Sequence, residues 1–133
     1  MIRKELYIMK RSEDLLFEKF AKTLSEGSSG EFAQVYEEMF DKTLTVQGVD
    51  KEMSYDEWLD ATIRLREKGA KMALTIENSK DTANGVYEMN YSVELSFPDG
   101  SKINPKSKAY WRDGKYFKHE SVTPEAYDKM KNI

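Results

Sequence analysis

The hydrophobic repeat of the chain changes at Gly69, and that change restricts the fold more than any other feature. Downstream of it, Met72, Leu74 and Ile76 alternate with polar residues. Tyr87, Met89, Tyr91, Val93, Leu95 and Phe97 then alternate with Val86, Glu88, Asn90, Ser92, Glu94 and Ser96. A period of two sends successive side chains to opposite faces of a strand, so each run predicts a strand with one strongly apolar face. Asn84-Gly85, Asp99-Gly100 and Asp113-Gly114 punctuate this half with dipeptides that accept positive φ in tight hairpins, and four strands in a meander follow. Asn104-Pro105 falls within the third connection. Proline has no N–H to give to a ladder, so it predicts a bulge or a late strand start near Lys106.

Upstream of Gly69 the period is helical. Leu6, Met9, Leu16, Phe20 and Leu24 share one helix face, and Gly27 follows where that helix stops. Ser28 and Glu31 have the spacing of a capping box ahead of Phe32, Val35, Tyr36, Met39 and Phe40, which predicts a short second helix. The stretch LTVQGV (44–49) is rich in β-branched residues and broken by Gly48, and it reads as one short strand. Ser54 and Glu57 repeat the capping-box spacing. They open a third helix whose apolar face carries Tyr55, Trp58, Leu59, Thr62, Ile63 and Leu65. Thr123-Pro124-Glu125 predicts a closing helical turn through Tyr127 and Met130, because proline suits the first helical position.

Helix, helix, short strand, helix and a four-stranded meander is the order of α+β proteins in which helices pack on one face of a curved, mostly antiparallel sheet. With 133 residues and no repeat or linker, the chain is expected to be one domain, 1–133. YWRDGKYFKHE (110–120) resembles the strand-turn-strand pattern W-x-D-G-K-I-x-x-H of the nuclear transport factor 2-like, or SnoaL-like, superfamily, with Tyr116 in the place of isoleucine. The resemblance in element order spans nearly the whole chain. It implies a cone-shaped fold with a pocket between the concave sheet face and three helices. Proteins of that superfamily isomerise ketosteroids, cyclise polyketides, hydrolyse epoxides, dehydrate, or bind and dimerise without chemistry, so the fold leaves function open.

The resemblance also implies where a catalytic acid would stand: at the end of the short strand after the second helix, and on a late strand. Here those places read Thr45-Val46-Gln47-Gly48 and Lys108-Ala109-Tyr110, with no carboxylate; Asp41 and Asp50 flank the first. A carboxylate raised in pKa by an apolar wall is what isomerase chemistry of that kind uses.

His119 is the only histidine. An unbroken strand would place it on one face with Phe117 and Ser121, and Tyr116, Lys118 and Glu120 on the other. That arrangement is expected to turn the imidazole to the outer face. A catalytic role would instead require it in the cavity, within hydrogen-bond reach of a hydroxyl or carboxylate, with Tyr91, Tyr36 or Asp41 as the partners to look for. Tyr36, Trp58, Tyr87, Met89 and Tyr91 are the expected pocket wall, since converging tyrosines give an apolar lining with polar tips.

Six Lys or Arg between Lys102 and Lys118, interleaved with Tyr110, Trp111, Tyr116 and Phe117, have the composition of a nucleic-acid platform, but they equally suit a solvated sheet edge. With 21 Lys and Arg against 24 Asp and Glu the net charge is −3, which favours the edge. No nucleic-acid partner is expected. Large residues on both faces of the strands carrying Tyr110, Tyr116 and Phe117 predict that both faces are covered, and hence a homodimer through the outer sheet face.

With no cysteine and one histidine, no metal is expected. No Gly-rich phosphate loop or nucleophile elbow is present, and no cofactor is expected. MIRKELYIMKRSEDLL has no continuous apolar core or small-residue cleavage site, and no apolar run spans a membrane, so a cytoplasmic protein is expected. Three function classes remain open: a small-molecule-binding protein, an acid/base isomerase, cyclase or hydrolase using His119, and a dimerisation or scaffold module.

Overall fold

A computed structural model describes residues 11–47 and 52–123. Leu6, Met9, Gly48, Asp50 and the expected closing turn through Tyr127 and Met130 lie outside the described residues.

Helix α1 (Ser12–Glu26) buries Phe17, Phe20, Ala21 and Leu24, the i, i+3, i+4 and i+7 positions of one stripe. Its last turn carries no basic residue. The terminal carbonyls are satisfied instead from distant parts of the chain: the Arg66 guanidinium donates to Thr23 O and Gly27 O, each at 2.7 Å, and Lys71 Nζ donates to Ser25 O at 2.8 Å. Gly27 closes the helix by approach rather than by φ. Its N–H donates to Thr23 O at 2.9 Å, and a Cβ placed there would itself lie 2.9 Å from that oxygen.

Helix α2 (Ser29–Met39) starts at the expected capping box. Ser28 Oγ accepts from the Glu31 N–H at 3.1 Å, and Glu31 Oε1 accepts from the Ser28 N–H at 2.9 Å. The chain runs straight from α2 into β1 (Phe40–Gln47), which begins four residues earlier than its β-branched core predicts. After β2 (Glu52–Ser54), helix α3 (Tyr55–Glu67) opens on the second capping box, with Ser54 and Glu57 bonded reciprocally at 3.0 and 3.3 Å.

The meander follows as β3 (Lys71–Asp81), β4 (Tyr87–Ser96), β6 (Lys106–Arg112) and β7 (Lys115–Ser121), with a two-residue β5 (Lys102–Ile103) between the second and third. The strands form one sheet in the order β2-β1-β7-β6-β4-β3, with β5 beside β6 on the same edge of β4. Every pairing is antiparallel except β1 with β7, so the sheet is mixed. Asn104-Pro105 marks the break between β5 and β6, where the Val93 N–H bonds to Pro105 O at 3.0 Å. β4 alternates as read, burying Tyr87, Met89, Tyr91, Val93 and Leu95. These residues meet the buried stripes of the three helices in one core.

The hairpin joining β6 to β7 decides the inner face of the last strand. Asp113 (φ 54°) and Gly114 (φ 77°) both occupy the left-handed region, as a two-residue turn of the type I′ geometry requires. The register then slips: Trp111 pairs with Tyr116, but Tyr110 pairs with Lys118. Phe117 is therefore an extra residue on β7, a β-bulge. Past it the alternation restarts in the opposite phase, and Tyr116 and His119 both point inward. The outward placement expected for His119 is thus corrected, because an unbroken period of two cannot anticipate a bulge. Among the described residues, no helix is long and apolar enough to cross a membrane.

Candidate functional site

A cavity opens between the helices and the concave sheet face. From α1 come Phe17, Phe20 and Leu24, and from α3 Trp58, Thr62 and Leu65. The sheet side is Phe40, Met72, Tyr91, Val93, Leu95, Pro105 and Tyr116. About 40 Å³ within the cavity can take the centres of water-sized molecules.

Its wall is almost wholly apolar. The exceptions are Thr62, whose Oγ1 donates to Leu59 O at 2.9 Å, and the hydroxyls of Tyr91 and Tyr116, which meet at 2.8 Å. Three elements hold that hydroxyl pair. Tyr91 stands on β4, Tyr116 on β7 just before the bulge, and the Phe17 ring from α1 packs edge-on against Tyr91 with centroids 4.7 Å apart. Phe40 and Trp111 flank Tyr116 at 5.0 and 5.2 Å. Rings packed this closely leave the phenols little rotational freedom.

Of the residues expected to form the wall, the structure brings Trp58 and Tyr91 to the cavity. Tyr36, Tyr87 and Met89 lie elsewhere in the core. The Tyr36 hydroxyl donates to Tyr55 O at 2.8 Å between α2 and α3, and burial raises its pKa well above the ordinary tyrosine value. The Tyr87 hydroxyl donates to Asp14 Oδ1 at 2.8 Å and lies 2.8 Å from Ser79 Oγ, with the Arg11 guanidinium 3.8 Å over its ring. Burial pushes that phenol up to about 12. Met89 is fully buried opposite Ala109. The reason is length: a ten-residue strand runs roughly 33 Å, and the start of α1 covers its Tyr87 end before the cavity begins at Tyr91.

His119 is 2% exposed and inward, yet it is not part of the cavity wall. Its ring lies nearly parallel to Trp58, at 28° with centroids 6.1 Å apart, behind the face that Trp58 presents to the cavity. Burial pushes its pKa down to about 3, so the imidazole is neutral near pH 7. Tyr91 and Tyr36, the hydroxyl partners anticipated for it, point to Tyr116 and to the Tyr55 carbonyl.

The two strand positions where the sequence resemblance implies acids turn Val46 and Ala109 inward, both fully buried. Asp41 bends back on its own turn. Its Oδ1 accepts from the Thr43 N–H at 2.9 Å and Oγ1 at 2.6 Å, bonds that hold the carboxyl below its ordinary range. Among the described residues, no three His, Asp or Glu side chains gather where they could hold a metal ion.

The basic stretch is divided on the outer face. Lys102 pairs with Glu94 at 3.3 Å and Lys108 with Glu88 at 3.2 Å, while Lys115 Nζ donates to Glu37 O at 2.9 Å. Lys118 lies 5.0 Å from the Tyr110 ring, and the Tyr110 hydroxyl donates to Glu120. Acids thus neutralise two of the six cations of this stretch, Lys102 and Lys108.

Sequence reasoning missed Tyr116, Phe17, Phe20 and Thr62 as cavity residues. Phe17 and Phe20 stand three apart on a helix face and read as ordinary core. Tyr116 fell on the face opposite the one expected for His119 but was not named among the wall residues.

No family model matches the sequence, and no curated protein is similar to it. Solved structures share the fold. A protein of unknown function from Shewanella oneidensis MR-1 superposes with a TM-score of 0.66 at 13% identity, covering 83% of this chain and 95% of its own. One from Exiguobacterium sp. 255-15, also of unknown function, gives 0.62 at 16% identity over 84% and 97%. Both are described as nuclear transport factor 2-like. A de novo designed protein of that fold, NT-9, gives 0.62 at 17% identity over 93% and 95%. The chain therefore has the nuclear transport factor 2-like cone fold. A designed protein shares that fold, so the fold by itself carries no activity.

Proposed function

We propose that this cone holds a small, mostly apolar molecule in the cavity between its helices and sheet, as a binding protein with no reaction assigned to it. The observation that carries the reading is the Tyr91–Tyr116 hydroxyl pair, set 2.8 Å apart in a wall otherwise built of Phe, Leu, Val, Met, Trp and Pro side chains and Thr62. A pocket of that make-up takes its affinity from apolar burial and its orientation from one polar contact. The alternative, an acid/base enzyme using His119, has less support. The imidazole stands behind Trp58, its pKa lies far below neutrality, and the cavity wall carries no carboxylate among the described residues. A dimerisation or scaffold module needs no cavity.

Native mass spectrometry of the freshly purified protein tests the reading. Binding predicts a fraction of the chain carrying one small molecule that gentle collisional activation releases. The chain mass alone, together with no uptake of added small aromatic compounds, contradicts it.

We further propose that two copies pair through the outer sheet face. Tyr110 and Phe117 are only half-buried there, the latter under the Arg112 guanidinium at 4.2 Å, amid interleaved Lys and Glu side chains that a second copy can match charge for charge. Sedimentation at micromolar concentration would show a dimer, and a clean monomer would refute the pairing.

A further inference from the structure

The chemistry of the ligand follows from what the cavity can solvate. We infer that the site selects an uncharged, single-ring-sized molecule bearing one hydroxyl, read by Tyr91 and Tyr116. This deepens the binding reading above and rests on it.

Size comes first. With about 40 Å³ open to the centres of water-sized molecules, the space sets one ring as the upper limit, and Phe17 and Trp58, packed against Tyr91 and His119, bar a fused polycyclic skeleton. Charge comes second. No Lys, Arg, Asp, Glu or His lines the wall among the described residues, so an ionised ligand would lose its water without gaining a counter-charge. That loss amounts to several kcal/mol for a carboxylate or ammonium.

The polar atom comes third. Either hydroxyl of the tyrosine pair can be the donor to the other. Whichever phenol accepts within the pair keeps its own O–H to donate, so any ligand oxygen can accept from it; a ligand hydroxyl can in addition donate to a phenol oxygen, which a carbonyl or ether cannot. A hydroxyl joining the two phenols also lengthens a buried chain of hydrogen bonds, which strengthens each member. Thr62 offers less, because its Oγ1 is directed to Leu59 O within its own helix.

The test compares p-cresol, its near-isostere p-xylene, and 4-methylbenzoate by isothermal titration against the wild-type protein, Tyr91→Phe, and Tyr91→Phe with Tyr116→Phe. Circular dichroism confirms that each variant folds, with the single variant serving if the double does not. The inference expects p-cresol to bind about fivefold tighter than p-xylene, the worth of one net hydrogen bond, and 4-methylbenzoate not to bind measurably. In the variants the preference should vanish or invert while p-xylene binds as before. If both neutral ligands bind but p-xylene is preferred by wild type and variants alike, hydroxyl selection is overturned and the cavity reading stands. Comparable binding of 4-methylbenzoate overturns the exclusion of charge. If neither neutral ligand binds up to its solubility, the binding reading itself falls and this inference with it.

Discussion

Replacing His119 with Gln should change how stability depends on pH more than how stable the protein is at neutrality. In the folded chain burial pushes the imidazole pKa from about 6.5 down to about 3, whereas an unfolded chain restores the ordinary value. Above about 6.5 both states hold it neutral, and it adds no pH dependence. Below 6.5 the unfolded state binds a proton that the folded state refuses, so stability falls as the pH drops from about 6.5 towards about 3.

At pH 5 the difference amounts to about 2 kcal/mol, from one and a half pH units at about 1.36 kcal/mol each. Gln does not titrate, and it keeps part of the hydrogen-bonding capacity. The loss of stacking on Trp58 lowers its stability equally at every pH. Urea unfolding at pH 7.0, 6.0 and 5.0, followed by far-ultraviolet circular dichroism, gives the comparison directly. Carboxylates also begin to titrate near pH 5, but their contribution is common to both proteins and cancels in the difference. Wild type should lose about 2 kcal/mol more than His119→Gln between pH 7 and 5. Parallel losses would mean that the imidazole is solvated, and that it does not lie behind Trp58 as described.

Other substitutions separate local devices from the core. Arg66→Ala removes both guanidinium bonds to the end of α1 and should lower stability by about 2 kcal/mol in the same unfolding assay, with Arg66→Lys recovering only part of it. Ser54→Ala breaks one arm of the α3 capping box and should cost about 1 kcal/mol, read the same way. Phe17→Ala takes away a ring that touches Tyr91, Trp111 and Tyr116, and should cost about 3–5 kcal/mol while enlarging the cavity. A loss below about 1 kcal/mol there would show that α1 does not close the site as described.

Element order and both capping boxes were legible because each rests on local chemistry. A Ser-x-x-Glu pair predicts its own hydrogen bonds, and Tyr87 to Leu95 predict their own burial. The site was less legible for two physical reasons. The bulge at Phe117 is set by how β7 meets both β6 and β1, since the β1 pairing also slips between Phe40 and Thr45, and no residue type announces it. It left Tyr116 on the inner face, opposite the one expected for His119, and brought His119 in as well, beside Trp58. The second reason is that an inward residue is not thereby a cavity residue. Tyr36, Tyr87 and Tyr91 all face the core, but of the three only Tyr91 lines the cavity: Tyr36 packs between α2 and α3 and Tyr87 lies under the start of α1.

The central claim is that the space between the helices and the sheet receives a small apolar molecule, and methyl-resolved NMR during a toluene titration tests it most directly. Ring currents from bound toluene should shift the methyl signals of Leu24, Leu65, Val93 and Leu95, which line the cavity, and leave those of Leu44 unmoved in the core outside it. The account predicts saturable shifts confined to that group. Shifts that never saturate, or that centre on the exposed side chains of Leu15, Ile63 and Val122, would contradict it.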